Sequence, residues 1–107
     1  ITNEELKIKT GRDYPQLNAK FVMLDPTYTY SVPEFQMVSG AFDTLSHIME
    51  IYFSEPNESN VSDDISEALM KNVITNLRAA IKNPEDYTAR SNLMWDATMA
   101  EKNMRIE

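Results

Sequence analysis

The sequence contains no cysteine, only two glycines (Gly11 and Gly40) and a single histidine, His47. Without cysteine there is no disulfide framework, no thiolate metal cage and no cysteine nucleophile. Two isolated glycines exclude a Rossmann fingerprint and a P-loop, since both need several glycines close together. One histidine excludes a cluster of several His ligands built from this chain. No run of about 18 apolar residues is present, so no transmembrane helix is expected. No basic segment followed by an apolar stretch marks a secretory signal, and the lack of cysteine fits a cytoplasmic setting. The chain begins at Ile1 rather than Met, which fits a processed, trimmed or partial piece of something larger.

What is present is ordinary globular material. The 107 residues are 42% hydrophobic and 25% charged, enough for one modest core. The net charge of −7 is unevenly placed: all ten basic residues lie outside residues 21–70. That central half carries nine acids, among them Asp25, Asp43, Glu50, Asp63 and Asp64. Such a stretch repels phosphate backbones, so no nucleic-acid partner is expected. The acids of residues 55–67 read as solvated loop. Asn57-Glu58-Ser59 and Asn60-Val61-Ser62 match the glycan acceptor pattern, but without a signal or cysteine they read as chance.

The pattern predicts a mainly helical chain with a short N-terminal β portion. Residues 1–11 read as a short polar strand ending in a turn at Gly11. Lys20-Phe21-Val22-Met23-Leu24 is a compact apolar run, stopped by Asp25-Pro26. A loop rich in Thr and Tyr leads to Pro33, a residue tolerated in the first turn of a helix. From Pro33 to about Phe53, Val38, Ala41, Leu45, Ile48 and Tyr52 follow helical steps; Phe35, Phe42, Met49 and Phe53 widen the arc, predicting a mostly buried helix. A second helix is predicted over 62–82, with the stripe Ile65, Leu69, Val73, Leu77 and Ile81. Asp63 and Asp64 suit its N-terminus and Lys82 its C-terminus. Asn83-Pro84-Glu85-Asp86 predicts the N-cap and first turn of a third helix running to about Lys102. The seven methionines read as core fillers and Trp95 as a core or interface anchor.

Chemistry concentrates on the polar line of the first helix. Gln36, Gly40, Asp43 and His47 recur at helical spacing, with Glu50 one step beyond His47 and no Lys or Arg on that face. Asp43 and His47 stand one turn apart, so a carboxylate and an imidazole can reach a common point. That is half of a divalent metal site, which needs three or four protein ligands. The same spacing also suits a plain hydrogen-bonded pair, and spacing does not separate the two. Gly40 leaves room for a close approach, and Glu50 could support His47 from behind. The hydroxyls of Tyr28-Thr29-Tyr30-Ser31, just before a helix start, could hold an anion or nucleotide, or simply cap the helix and satisfy the loop.

Three stretches resemble a known family. Leu24-Asp25-Pro26-Thr27-Tyr28-Thr29-Tyr30-Ser31-Val32-Pro33 is similar to a strand-ending "DP" followed by an "LTYTLP"-like loop. Gln36, Gly40, Asp43, His47, Glu50 and Tyr52 fall on a Q-x-x-x-G-x-x-D-x-x-x-H-x-x-E-x-Y helix. Asn83-Pro84-Glu85-Asp86-Tyr87-Thr88-Ala89-Arg90-Ser91-Asn92-Leu93-Met94-Trp95 is similar to a "PENYDARxNxMW" segment. Together, and in order, these resemble the iron-containing (group III) alcohol dehydrogenases, in particular their NAD(P)-dependent butanol dehydrogenase branch. Ser31-Val32-Pro33 departs mildly from the usual Thr-Leu-Pro, and residues 101–107 depart from the family's continuation.

The resemblance implies a partial dehydroquinate-synthase-like fold. Residues 1–32 would be the C-terminal end of the cofactor-binding α/β domain, and residues 33–107 the N-terminal part of the helical metal-binding domain. It implies Asp43 and His47 as two of four ligands to a divalent metal, Fe2+ or Zn2+. The other two ligands are histidines on later helices of the family and are not in this sequence; neither is the glycine-rich NAD(P) loop. Thr29 is implied as a cofactor contact, and a small alcohol or aldehyde as substrate. No residue is assigned as catalytic beyond the metal ligands. The expectation is a fragment of a metal-dependent alcohol dehydrogenase, inactive as an isolated chain and prone to dimerise or self-associate through uncovered apolar surface. The alternative is a truncated, non-catalytic helical interaction or structural protein.

Overall fold

A computed structural model describes residues 2–11, 14–54 and 61–101 of the chain. Three helices dominate: α1 (Glu34–Tyr52), α2 (Val61–Lys82) and α3 (Tyr87–Ala100). Each packs on the other two. Two short strands, β1 (Thr2–Asn3) and β2 (Ile8–Lys9), precede them and pair antiparallel, Thr2 opposite Lys9 and Asn3 opposite Ile8. A 3-10 turn over Pro26–Thr29 rests on α3.

The N-terminal region departs from the expected single strand. The chain reverses at Glu4–Lys7, not at Gly11: Asn3 Oδ1 accepts from the Leu6 N–H at 2.9 Å, and Lys7 takes a left-handed φ of 51°. The apolar run at 20–24 forms no strand. Phe21 is 92% and Met23 95% exposed, while Leu24 and Val22 flank Trp95 on α3. A strand needs a partner to satisfy its backbone, and among the described residues the only sheet is the two-stranded hairpin.

The helices follow the predicted periodicity with three corrections. Pro33 sits just outside α1, at its N-cap, and its carbonyl accepts from the Met37 N–H at 2.9 Å. α1 is less buried than its apolar arc suggests: Met37, Ala41, Thr44 and Ile48 face the core, whereas Phe35, Phe42, Met49 and Phe53 are exposed. Two neighbouring helices cover only one side of it. On α2 the buried face is rotated from the predicted stripe. Val73 and Leu77 are buried and Leu69 is half-buried, but Ile65 and Ile81 are exposed, and Ser62, Ser66, Asn76 and Ala80 are buried. The third correction is the start of α3. Residues 83–86 form a turn, and Asp86 rather than Asn83 caps the helix, accepting from the Ala89 N–H at 2.9 Å. Asn83 instead accepts from the Glu85 N–H within the turn at 3.2 Å.

The core is small. Its buried apolar side chains are Met37, Ala41, Ile48, Val73, Leu77, Ala80, Ala89 and Ala100, half of them alanine. Alanines let helices approach closely but bring little apolar area with them. Much of the joint between α2 and α3 is polar instead, built from Asn72, Asn76, Asn92 and the buried Asp96. Of the methionines, only Met37 is fully buried among the described residues, and Met23 and Met49 are exposed. Trp95 is 55% exposed on the outer side of α3, so it is not a core residue. Residues 55–60, with the first glycan-acceptor tripeptide and Asn60 of the second, and Met104 lie outside the described residues.

Candidate functional site

The polar line of α1 exists as drawn from the sequence, but it serves two clefts. Gln36 and Gly40 line a largely apolar cleft of about 420 Å³, together with Thr29, Arg90, Leu93 and Thr98. His47 and Glu50 line a second cleft of about 360 Å³ with Ser54, Ala100 and Glu101. Nothing lies within 4 Å of where a Cβ on Gly40 would be, so the room that glycine leaves is open.

Asp43 and His47 are neighbours on successive turns of α1. Asp43 Oδ2 stands 3.6 Å from His47 Nε2, and the two side chains are 75% and 42% exposed. This is longer than a hydrogen bond between such groups, which runs about 2.7–3.2 Å. The same imidazole nitrogen meets a second carboxylate: Glu101 Oε1, just past the end of α3, is 3.5 Å away. No local pattern points to Glu101, because only the packing of α3 on α1 brings it to His47. As the side chains stand, no three His, Asp or Glu residues among those described form a metal-enclosing cluster.

Thr29 sits in the other cleft, at the end of the 3-10 turn. The structure does not bring it to Asp43 and His47. Its hydroxyl donates to the Pro26 carbonyl at 2.6 Å, which leaves the oxygen only acceptor capacity. The turn is held by Asp25, whose carboxylate accepts from the Thr27 hydroxyl at 2.7 Å and the Thr27 N–H at 3.0 Å. Those two bonds, the hydroxyl's first, hold the Asp25 carboxyl below its ordinary range. The Thr29 hydroxyl thus serves the local backbone, the plainer of its two readings, and the Thr27 hydroxyl serves the Asp25 carboxylate.

Two further groups position this region. Arg90, 3% exposed, donates from Nε to the Pro84 carbonyl at 2.8 Å and so pins the α2–α3 turn beside the larger cleft. Tyr52, at the end of α1, donates its hydroxyl to Glu67 Oε1 at 2.9 Å, tying α1 to α2. That bond, and then the Glu67 charge, raise the phenol's pKa.

Residues 37–106 match the family described as "Fe-containing alcohol dehydrogenase family, C-terminal". The chain is 41% identical over 100 residues to the NADH-dependent butanol dehydrogenase B of Clostridium acetobutylicum, spanning 94% of this chain and 26% of that protein. It is 38% identical over 80 residues to the NADPH-dependent aldehyde reductase YqhD of Escherichia coli, spanning 75% and 21% respectively. The substrate- and cofactor-free structure of that reductase superposes with a TM-score of 0.68 at 37% identity, over 73% of this chain and 20% of the other. The chain therefore spans about a quarter of the length of these relatives, and its helices form part of their fold. The matched segment takes in the whole of α2 and α3, most of α1 and, with it, Asp43 and His47, and the chain belongs to the iron-containing alcohol dehydrogenase family.

Proposed function

We propose that this sequence is part of a metal-dependent alcohol dehydrogenase that interconverts a small alcohol and its aldehyde by hydride transfer with NAD(P). The observation that supports it best is the Asp43–His47 pair, one turn apart and exposed on the family-matched helix, with oxygen and nitrogen 3.6 Å apart. A carboxylate and an imidazole are a fitting donor set for Fe2+ or Zn2+. Bound there, such an ion supplies Lewis-acid polarisation of the alcohol or aldehyde oxygen while NAD(P) exchanges the hydride.

The chain's own residues then have distinct tasks. Asp43 and His47 hold the ion. Glu50 shares the cleft with His47 and helps orient it. Thr29 offers an acceptor oxygen to the cofactor from a turn that Asp25 keeps in shape. In domain terms, residues 1–32 belong to the cofactor side and residues 33–107 to the metal side, and the protein works in the cytoplasm. With a single histidine and no glycine-rich phosphate loop, the isolated 107 residues do not turn over.

The test uses the longest product of the coding gene. Metal content and alcohol oxidation with NAD(P) are measured for the parent, Asp43→Ala and His47→Ala. Loss of metal and activity in both supports the reading, and retention of both properties in both variants overturns it.

One observation favours a second reading, a non-catalytic helical protein that associates with itself. Phe21, Met23, Phe35, Phe42 and Phe53 are all exposed. The radius of gyration is 15.9 Å, against about 13 Å for a compact domain of this length. This reading predicts a metal-free oligomer, read by sizing chromatography together with metal analysis; a metal-loaded, active product excludes it.

A further inference from the structure

We propose that the larger cleft binds a small carboxylate with an apolar body, its charged end held by Arg90. Arg90 stands on α3, is 3% exposed and lines that cleft of about 420 Å³. Its Nε is committed to the Pro84 carbonyl at 2.8 Å. Among the described residues its two terminal nitrogens make no hydrogen bond, and the ion pairs are both those of His47. Yet no buried side-chain nitrogen among them lacks a partner. The terminal nitrogens of Arg90 are therefore open to the cleft rather than sealed in the core. A cation withdrawn from bulk water needs a counter-charge to offset its lost hydration. With Nε engaged, Nη1 and Nη2 still present two parallel N–H groups, which match the two oxygens of one carboxylate.

The rest of the cleft fixes the class of ligand. No acid lines it, although the chain as a whole carries a net charge of −7. Thr29, Thr44 and Thr98 donate their hydroxyl protons to the carbonyls of Pro26, Gly40 and Met94. These hydroxyls offer a ligand only lone pairs, which repel an anion. The remaining side-chain N–H donors belong to Arg90 and Gln36, and only Arg90 is cationic. The walls are otherwise apolar, with Val32, Met37, Leu93 and Met94 among them. Such a lining around one fixed polar group, in a space of this size, suits a small organic molecule. A bare inorganic anion would leave the apolar wall unused. The inference needs neither a metal nor hydride transfer, so it stands or falls apart from the proposed activity.

The test uses the longest product of the coding gene, labelled with 13C at the methionine methyls, because Met37 and Met94 line the cleft. Their signals are assigned through Met37→Leu and Met94→Leu. Hexanoate, hexanamide and inorganic phosphate are titrated into the parent, Arg90→Met and Gly40→Leu, with circular dichroism confirming that each is folded. Gly40→Leu fills the cleft and spares Arg90, since nothing lies within 4 Å of where its Cβ would stand. Hexanoate is expected to shift both methyl signals saturably. Hexanamide, and hexanoate in Arg90→Met, should bind at least about tenfold more weakly. Gly40→Leu should show no shift, and phosphate should move neither signal. No hexanoate shift in the parent overturns the proposal, as does equal binding of hexanamide or undiminished binding in either variant. Phosphate acting at the same concentrations as hexanoate overturns it too, since the site would then be a plain anion hole. Arg90→Met also loses the bond to Pro84; should it unfold, the acid-against-amide comparison in the parent and the result for Gly40→Leu decide.

Discussion

Asp96 Oδ2 lies 2.8 Å from the side-chain amide of Asn72, across the contact between α2 and α3. With the amide nitrogen turned toward it, the carboxylate accepts a hydrogen bond. With the amide oxygen there, that oxygen accepts from Asn76 Nδ2 at 2.9 Å, and Asp96 must carry a proton to share the contact. Asn92 Nδ2 extends the chain of bonds to Asn76 Oδ1 at 2.9 Å. The state of one buried proton is thereby linked to the orientation of an amide between two helices.

Stability should depend on pH through this group. Burial pushes the Asp96 carboxyl up to about 6, from about 3.9 in the unfolded chain. The folded state therefore keeps a proton that the unfolded state releases, so stability falls as pH rises from about 4 to about 6 and is level above that. The loss is on the order of 2 kcal/mol. Asp96→Asn keeps the shape without the charge and is expected to flatten this slope and raise the melting temperature at pH 7. Thermal melts of both proteins across that pH range check it.

The core is thin enough that one large side chain matters. Ile48 is 1% exposed and is among the largest fully buried side chains. Ile48→Ala should cost about 2–4 kcal/mol, a large share of the stability of so small a core. Urea unfolding followed by circular dichroism measures it; a cost below about 1 kcal/mol would mean that α1 is not packed as described.

Asp86 is the side-chain cap of α3, through its bond to the Ala89 N–H. Asp86→Ala should destabilise the chain by about 1 kcal/mol. Asn83→Ala removes only a turn contact and should cost less, so the ranking of the two variants in one unfolding experiment separates the observed cap from the one expected from the sequence.

Gly40 has a helical backbone and open space where a Cβ would stand. Gly40→Ala should stabilise the 107-residue chain by about 0.5–1 kcal/mol through helix propensity alone. In the longest gene product the same methyl group would stand in the cleft lined by Thr29 and Gln36. A stability gain in the short chain paired with a rise in KM for NAD(P) would show that the glycine is kept for what approaches it.

The position of each helix was readable from local patterns. Apolar spacing located α1 and α2 to within a residue or so, because an amphipathic stripe reports its period wherever the helix packs. Capping was less legible: Asn83 and Asp86 both precede α3, and only the turn geometry decides which carboxylate or amide reaches a free N–H. The apolar run at 20–24 could not be assigned an element in isolation, since strand formation depends on a partner that the run itself does not contain. On α2, Ser66 and Asn76 are buried while Ile65 and Ile81 are exposed; which face turns inward was set by where α1 and α3 lie.

The candidate site divides in the same way. Asp43 and His47 are one turn apart on one helix, so helix geometry placed them together as soon as the helix was recognised. Residue order alone therefore determined three helices, the Asp43–His47 pair and the family motifs around them. Tertiary structure alone decided that Glu101 meets His47, that Thr29 lies in a different cleft, and that Asp96 is buried against Asn72. The reason is physical: periodicity fixes relations within one element, whereas relations between elements depend on how their surfaces pack.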